Sequence, residues 1–213
     1  MYAKYIKRII DFFLSLMALF VLFPVLLILT ITGAVAMGGN PFFVQPRPGV
    51  KDKNGNEKIF NLIKFRTMSN KKDKDGNLLP DEQRLGKFGK LLRSTSLDEL
   101  PSLWNVVCTK CSLCGPRALY MKYIPRYSEH QARRLEVRPG ITGLAQINGR
   151  NAISWEKRFD YDVRYVDNIT FRGDWKIMFL TVAKVFKREG ITSETSVTME
   201  EFMGNELEMA NHE

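Results

Sequence analysis

Phe12 to Met37 reads FFLSLMALFVLFPVLLILTITGAVAM, and this run decides the architecture. It carries no charged residue and exceeds the ~20 residues needed to cross a hydrocarbon core. It is also too long for the apolar part of a signal peptide, and Gly38-Gly39-Asn40-Pro41 is a poor cleavage context. Helices of soluble cores seldom stay apolar on every side for such a length. The run therefore predicts insertion into a membrane. Lys4, Lys7 and Arg8 precede it, and Arg47, Lys51, Lys53 and Lys58 follow it. The positive-inside rule asks for both flanks on the cytoplasmic side. Pro24, near the middle, removes one backbone hydrogen bond and kinks the helix. A bent helix that enters and leaves by one face satisfies both basic flanks, whereas a straight span strands one of them outside. Residues 1–40 are thus expected to form a re-entrant anchor with Pro24 as the break.

Beyond the anchor the composition changes. Residues 41–190 read as one polar, basic domain, and 191–213 as an acidic, flexible tail. Hydrophobic residues make up 45% of the 213, enough for a packed core, and the formal charge is +9. That charge favours anionic partners: phospholipid headgroups, nucleotides, phosphorylated lipids or nucleic acid. Nucleic acid is the weakest of these, because no zinc-finger or other recognised motif is present and the basic groups sit beside acids. Cys108, Cys111 and Cys114 crowd into one stretch, unlike a secreted disulfide framework, which favours a reducing cytoplasmic setting. Their C-x2-C-x2-C spacing could ligate zinc or an iron–sulfur cluster. A fourth ligand is not evident, so buried, reduced thiols are the better reading.

Within the domain, Phe42-Phe43-Val44 and Ile59–Met68 read as two strands of a β-hairpin, with Lys53-Asn54-Gly55-Asn56 supplying the turn. The period of two puts Ile59, Ile63 and Phe65 on one face and Lys64 with Arg66 on the other. Ser96 followed by Glu99 matches a capping box, so a helix begins at Ser96 or at Asp98. Either start places Asp98 where the macrodipole favours its charged form. Asp174 to Arg188 interleaves bulky apolar residues with Lys176, Lys184, Lys187 and Arg188. Such a helix packs on a core or lies in the membrane interface. The fold class is α+β: the re-entrant helix, a small cytoplasmic domain of helices with a short hairpin, and amphipathic helices at the interface.

Asp98-Glu99 is the one adjacent carboxylate pair surrounded by basic elements, with Arg93, Arg117 and Arg138 in neighbouring segments. Most such pairs at a helix start only cap it. Phosphoryl transfer, however, needs a nucleophile, a divalent cation and positive groups around phosphate oxygens. A carboxylate can attack phosphorus to form an aspartyl phosphate. Its neighbour can hold Mg²⁺, which takes one or two carboxylates plus substrate phosphates. Arginine suits phosphate through its planar fork of donors. The turn Arg138-Pro139-Gly140, followed by Gly143, can let backbone approach a nucleotide closely.

The chain resembles the bacterial sugar transferases, the monotopic phosphoglycosyl transferases in their small single-domain, PglC-like form. The likeness runs from Tyr5 to about Gly190 and rests on the joint order of fragments that are unspecific singly. These are Lys7-Arg8-Ile9-Ile10-Asp11, Gln45-Pro46-Arg47-Pro48-Gly49, Lys64-Phe65-Arg66-Thr67-Met68 and Leu92 to Pro101. Further on come Gly115-Pro116-Arg117, Arg138 to Gln146, and Gly149-Arg150-Asn151. The resemblance implies a cytoplasmic-face enzyme of the bacterial inner membrane, with UDP-sugar, undecaprenyl phosphate and membrane lipids as partners and Mg²⁺ as cofactor. Asp98 would match the nucleophile that takes the phosphosugar and releases UMP, and Glu99 the partner that helps bind the metal. Lys64, Arg66, Arg93, Arg117, Arg138, Gln146 and Arg150 would contact substrate phosphates or nucleotide. Direct attack by the lipid phosphate, with Asp98 only binding metal, is the alternative route. Asn151 to Glu156 resembles members that act on N-acetylated amino or diamino sugars. Three positions depart from the family pattern: the Cys108–Cys114 loop, Ala118 in place of a second proline, and Phe23 before Pro24 in place of serine.

Overall fold

The structure, a computed structural model, describes residues 1–52, 55–149, 152–187 and 201–204. It is a mixed helix-and-strand fold built around a bent helical pair. A π-helical turn, Tyr2–Ile6, leads into α1 (Lys7–Val21), and α2 (Phe23–Met37) follows after a break at Leu22. The bend is 65°, and no single described helix is long and apolar enough to cross a membrane. Pro24 explains the break: it cannot donate to the carbonyl four residues back, and its ring clashes there, so Leu22 leaves helical geometry. The pair is not a soluble-core helix, since Phe20 is 83% exposed, Ile28 60% and Val35 80%. Gly38, in the left-handed conformation that glycine adopts without strain, ends α2.

The hairpin follows. β1 (Phe42–Lys51) pairs antiparallel with β2 (Glu57–Phe65), and Phe42 stacks on Phe65. The first strand runs well past Val44, while the second stops at Phe65 and leaves Arg66, Thr67 and Met68 beyond it. Lys53 and Asn54 of the expected turn lie outside the described residues. On β2 the buried side chains are Phe60, packed with Val106 and Cys111, and Phe65, whereas Ile59 is exposed.

Next come α3 (Asp81–Arg84), α4 (Lys87–Thr95), a 3-10 turn Leu97–Glu99 and α5 (Ser102–Val107). The expected capping box does not form. Ser96 adopts left-handed geometry (φ 56°), ends α4 and makes no side-chain cap bond to the turn after it. The chain reverses there too sharply for an extended N-cap residue. Pro101 then delays the regular helix to Ser102.

A second, two-stranded parallel sheet joins β3 (Ser112–Cys114) to β4 (Gly140–Thr142). Short helices α6 (Glu129–Ala132) and α7 (Leu144–Ile147) lead to α8 (Trp155–Asp167) and α9 (Phe171–Lys187). One side of α9 seats Ile177 against Cys114, Ile147 and Tyr165, while Phe179 and Val182 stay exposed. An aromatic cluster of Tyr123, Trp155, Phe159 and Phe202 closes the far side. Phe202 belongs to the segment read as a flexible acidic tail, yet it is fully buried, and Glu201 pairs with Lys122 and Arg126. An acidic composition conceals one well-placed aromatic ring. Residues 191–200 and 205–213 lie outside the described residues.

Candidate active site

Two constructions set the site's geometry. First, α5 covers the backbone of β2 with side chains. Asn105 accepts from the Ile63 amide (3.0 Å) and donates to the Asn61 carbonyl (2.8 Å), and Ser102 donates to the Ile63 carbonyl (2.7 Å). A strand edge is thus satisfied as another strand would satisfy it, which fixes Lys64 relative to the turn that carries Asp98 and Glu99. Second, α4 lies against Thr67 so closely that a Cβ on Gly89 would come within 1.9 Å of the Thr67 carbonyl oxygen. One turn later Arg93 donates from Nε to Thr67 Oγ1 (3.1 Å) and reaches Met68 Sδ (3.0 Å).

The adjacent carboxylates differ sharply. Glu99 is locked: Lys64 Nζ sits 2.8 Å from Oε1, Arg117 also binds Oε1, and Arg117 Nη1 donates to Oε2 at 3.3 Å. Burial acts to raise its pKa, but Arg117 and Lys64 together outweigh burial and hold it well below the usual carboxylate range. Asp98 has no hydrogen bond or salt bridge among the described residues. Burial first, and the charge of Glu99 second, push it up to about 6 against the pull of Lys64, Arg117 and Arg93. The expected helix-dipole stabilisation of its charge is therefore outweighed, and a three-residue turn supplies little dipole in any case.

Cations exceed acids here. Arg47, buried and lying over the Tyr120 ring at 4.1 Å, feels both Arg117 and Glu99. Arg158 of α8 lies over the Trp155 ring at 4.9 Å; burial and the neighbouring Arg117 lower it to about 10. Behind them a fully buried pair, Arg134–Asp162 (2.7 Å), anchors Arg117, because Arg134 Nη2 donates to the Arg117 carbonyl at 2.6 Å. Sequence reasoning quoted Arg47 within Gln45–Gly49 without assigning it a role, and it missed Arg134, Arg158 and Asp162. Nothing local marks a pair 28 positions apart.

Of the predicted site residues, Asp98, Glu99, Lys64, Arg93 and Arg117 come together. Arg66 sits one residue past β2, its amide donating to the Pro41 carbonyl (2.7 Å), with no partner for its side chain among the described residues. Gln146 lies on α7 with both amide atoms buried and unpartnered. Arg138 points elsewhere: its neighbours are Arg8 and Asp11, at the root of the anchor. Arg150 lies outside the described residues. Cys111 and Cys114 are buried, with burial pushing both thiols up to about 12, while Cys108 is exposed. Among the described residues no three His, Cys, Asp or Glu side chains gather into a metal cage.

The anchor's root is a second polar centre. Lys7 Nζ lies 2.9 Å from Asp174 Oδ2 and 3.6 Å from Asp11 Oδ1. Tyr2 (2.6 Å) and Tyr165 (2.7 Å) donate to Asp174, and Ser112 donates to Asp11 (2.6 Å).

Comparison with known proteins places these residues in context. The family described as "Bacterial sugar transferase" matches residues 2–188. A protein named as an uncharacterized sugar transferase, EpsL of Bacillus subtilis, is 50% identical over 200 residues, covering 94% of this chain and 96% of that protein. A UDP-glucose:undecaprenyl-phosphate glucose-1-phosphate transferase of Klebsiella pneumoniae is 36% identical over 190 residues, 84% of this chain and 40% of that one. An undecaprenyl-phosphate galactose phosphotransferase of Salmonella typhimurium is 32% identical over 206 residues, 88% of this chain and 42% of its own length. The chain thus spans nearly all of the first relative and about two-fifths of the other two.

Proposed function

This chain belongs to the bacterial sugar transferase family, and from that premise we propose that it moves a sugar-1-phosphate from a UDP-sugar to undecaprenyl phosphate, releasing UMP. It is a transferase of phosphorus-containing groups, acting at the membrane step that opens glycoconjugate or exopolysaccharide synthesis. Its place is the cytoplasmic face of the bacterial inner membrane, where the bent pair α1–α2 inserts its exposed apolar surface and re-emerges. The exposed Phe179 and Val182 of α9 lie in the same interface.

One observation carries the chemistry: of two neighbouring carboxylates, Glu99 is held by Lys64 and Arg117 while Asp98 is unclaimed among the described residues and pushed up to about 6. A carboxylate with a pKa of about 6 is largely ionised at pH 7 and keeps more basicity, hence nucleophilicity, than an ordinary aspartate. An oxygen of Asp98 attacks the sugar-bearing phosphorus. The bond to the bridging oxygen breaks, and UMP leaves with the electron pair. An oxygen of undecaprenyl phosphate then attacks the same phosphorus, and the Asp98–phosphorus bond breaks to restore the carboxylate. Lys64, Arg93 and Arg117 neutralise the diphosphate, and Arg47 and Arg158 extend the positive field.

The residues fit Mg²⁺. Two carboxylates with no third acidic, His or Cys neighbour among the described residues match an ion held jointly by protein and substrate phosphates. Among the described residues Asp98 is free, and Glu99 Oε2 takes only the 3.3 Å bond from Arg117. When bound, the ion would supply neutralisation of phosphate charge. Asn151–Glu156 points to an N-acetylated amino or diamino sugar, although the relatives above are named for glucose and galactose.

The test incubates the membrane-reconstituted protein with UDP-sugars labelled in the sugar-bearing phosphate, without lipid acceptor. Label on the chain, lost in Asp98→Asn, is expected. Turnover without any trapped label would establish direct attack by the lipid instead. The same panel of UDP-sugars, read by UMP release, identifies the sugar.

A further inference from the structure

Away from Asp98, a cavity of about 200 Å³ opens at the root of the anchor, lined by Ala3, Lys7, Arg8, Glu136, Arg138 and Tyr165 among others. That is several times the roughly 30 Å³ that one water molecule occupies. Its charge is unbalanced. Lys7 is matched by Asp174 and Asp11, and Asp11 is further occupied by Ser112 and the Leu113 amide. Arg138 has no hydrogen bond or ion pair among the described residues. Arg8 gives one 3.3 Å bond to the Cys111 carbonyl and stands 4.0 Å from Asp11. The two guanidinium groups repel each other: burial first, and the charge of Arg8 second, lower Arg138. Glu136, the cavity's own acid, is exposed and lies 3.4 Å from Arg133. Two half-buried cations facing one space call for an anion between them, and a planar fork of donors suits phosphate.

The surroundings indicate where that phosphate comes from. Tyr5, Ile6 and Ile9, on the turns that carry Lys7 and Arg8, are exposed apolar side chains. Tyr2, Phe171 and Trp175 form an edge-to-face aromatic series beside them. Tyr and Trp beside exposed aliphatics mark the level of lipid headgroups. We propose that the cavity between Arg8 and Arg138 is a second phosphate site, separate from the Asp98 centre, which holds the headgroup phosphate of an anionic phospholipid. It rests on the membrane reading above and gives the anchor a fixed depth and rotation beside its polar root.

The full chain, reconstituted into nanodiscs of equal parts phosphatidylglycerol and phosphatidylcholine, tests this by native mass spectrometry of the lipid retained after release. Wild type is expected to retain one phosphatidylglycerol preferentially. Arg138→Gln should lower that preference about fivefold, the effect of one basic residue at an anionic surface. Arg138→Lys should keep most of it, and Glu136→Gln should raise it. Inorganic phosphate should not displace the lipid; displacement would make this a free-anion site and overturn the assignment. Entry into nanodiscs without a headgroup preference, or a preference unchanged in Arg138→Gln, overturns this proposal alone. Failure to enter nanodiscs at all overturns both it and the membrane reading.

Discussion

The molecule contains two clusters of lysine, tyrosine or arginine around aspartate and glutamate, and they are built on opposite rules. At the root of the anchor, Lys7, Asp11 and Asp174 are buried and every carboxylate is answered by a cation, hydroxyl or amide. At the hairpin, Glu99 is answered twice while Asp98 beside it has no partner among the described residues. Satisfied carboxylates hold elements together. A carboxylate kept short of partners, inside a positive field, is available to react. On the proposed function the same residue types thus serve cohesion in one place and chemistry in the other, and the difference is legible in hydrogen bonds rather than in composition.

That contrast breaks most visibly on substitution. Asp98→Asn should reduce UMP release by on the order of a thousandfold or more, as loss of a covalent nucleophile does, while the thermal midpoint stays level or rises. The rise has a definite sign. A carboxyl whose folded pKa is raised to about 6 contributes stability that is complete below its unfolded value and lost as pH climbs through 6. Melting curves of the two proteins should therefore nearly coincide at pH 4 and part by pH 7, the variant being the more stable by up to about 3 kcal/mol. A variant that melts well below wild type at pH 7 would show that Asp98 is a cohesive residue after all.

Asp174→Ala should do the reverse. It leaves the buried Lys7 without its nearest counter-charge and should cost about 3–5 kcal/mol, seen as a fall in thermal midpoint and in yield. The folded fraction should still accept label at Asp98. Glu99→Gln should act on the pH profile: removing the charge that raises Asp98 moves the acidic limb of the labelling rate below pH 6, with a lower plateau. The smallest effect is chemical. A thiol reagent should modify Cys108 alone in the folded protein, because Cys111 and Cys114 are buried and pushed up to about 12; three reacting thiols in the native state would contradict this.

How much of this the sequence disclosed depends on how local the cause is. The apolar run and Pro24 could be read at once, since hydrophobic length and a missing amide act within a few residues. Lys64, Asp98 and Glu99 were readable as chemistry-bearing types, and Arg93 and Arg117 through the motifs around them. The capping box failed because a chain reversal several residues wide demanded left-handed geometry at Ser96. For Arg138, which stands beside Arg8 and Asp11 rather than Asp98, the turn was legible and the direction was not. Arg134, Arg158 and Phe202 gave no signal at all, for each takes its meaning from partners far along the chain.

The pairing of Lys7 with Asp174 spans 167 positions. During synthesis Lys7 is made long before the aspartate that will neutralise it. Asp11, one helical turn from Lys7 and 3.6 Å away, can serve as an interim counter-ion for the nascent segment. The contact with Asp174 can close only after α9 has been made, so the bent helical pair is fastened at its root by an element 167 positions further along.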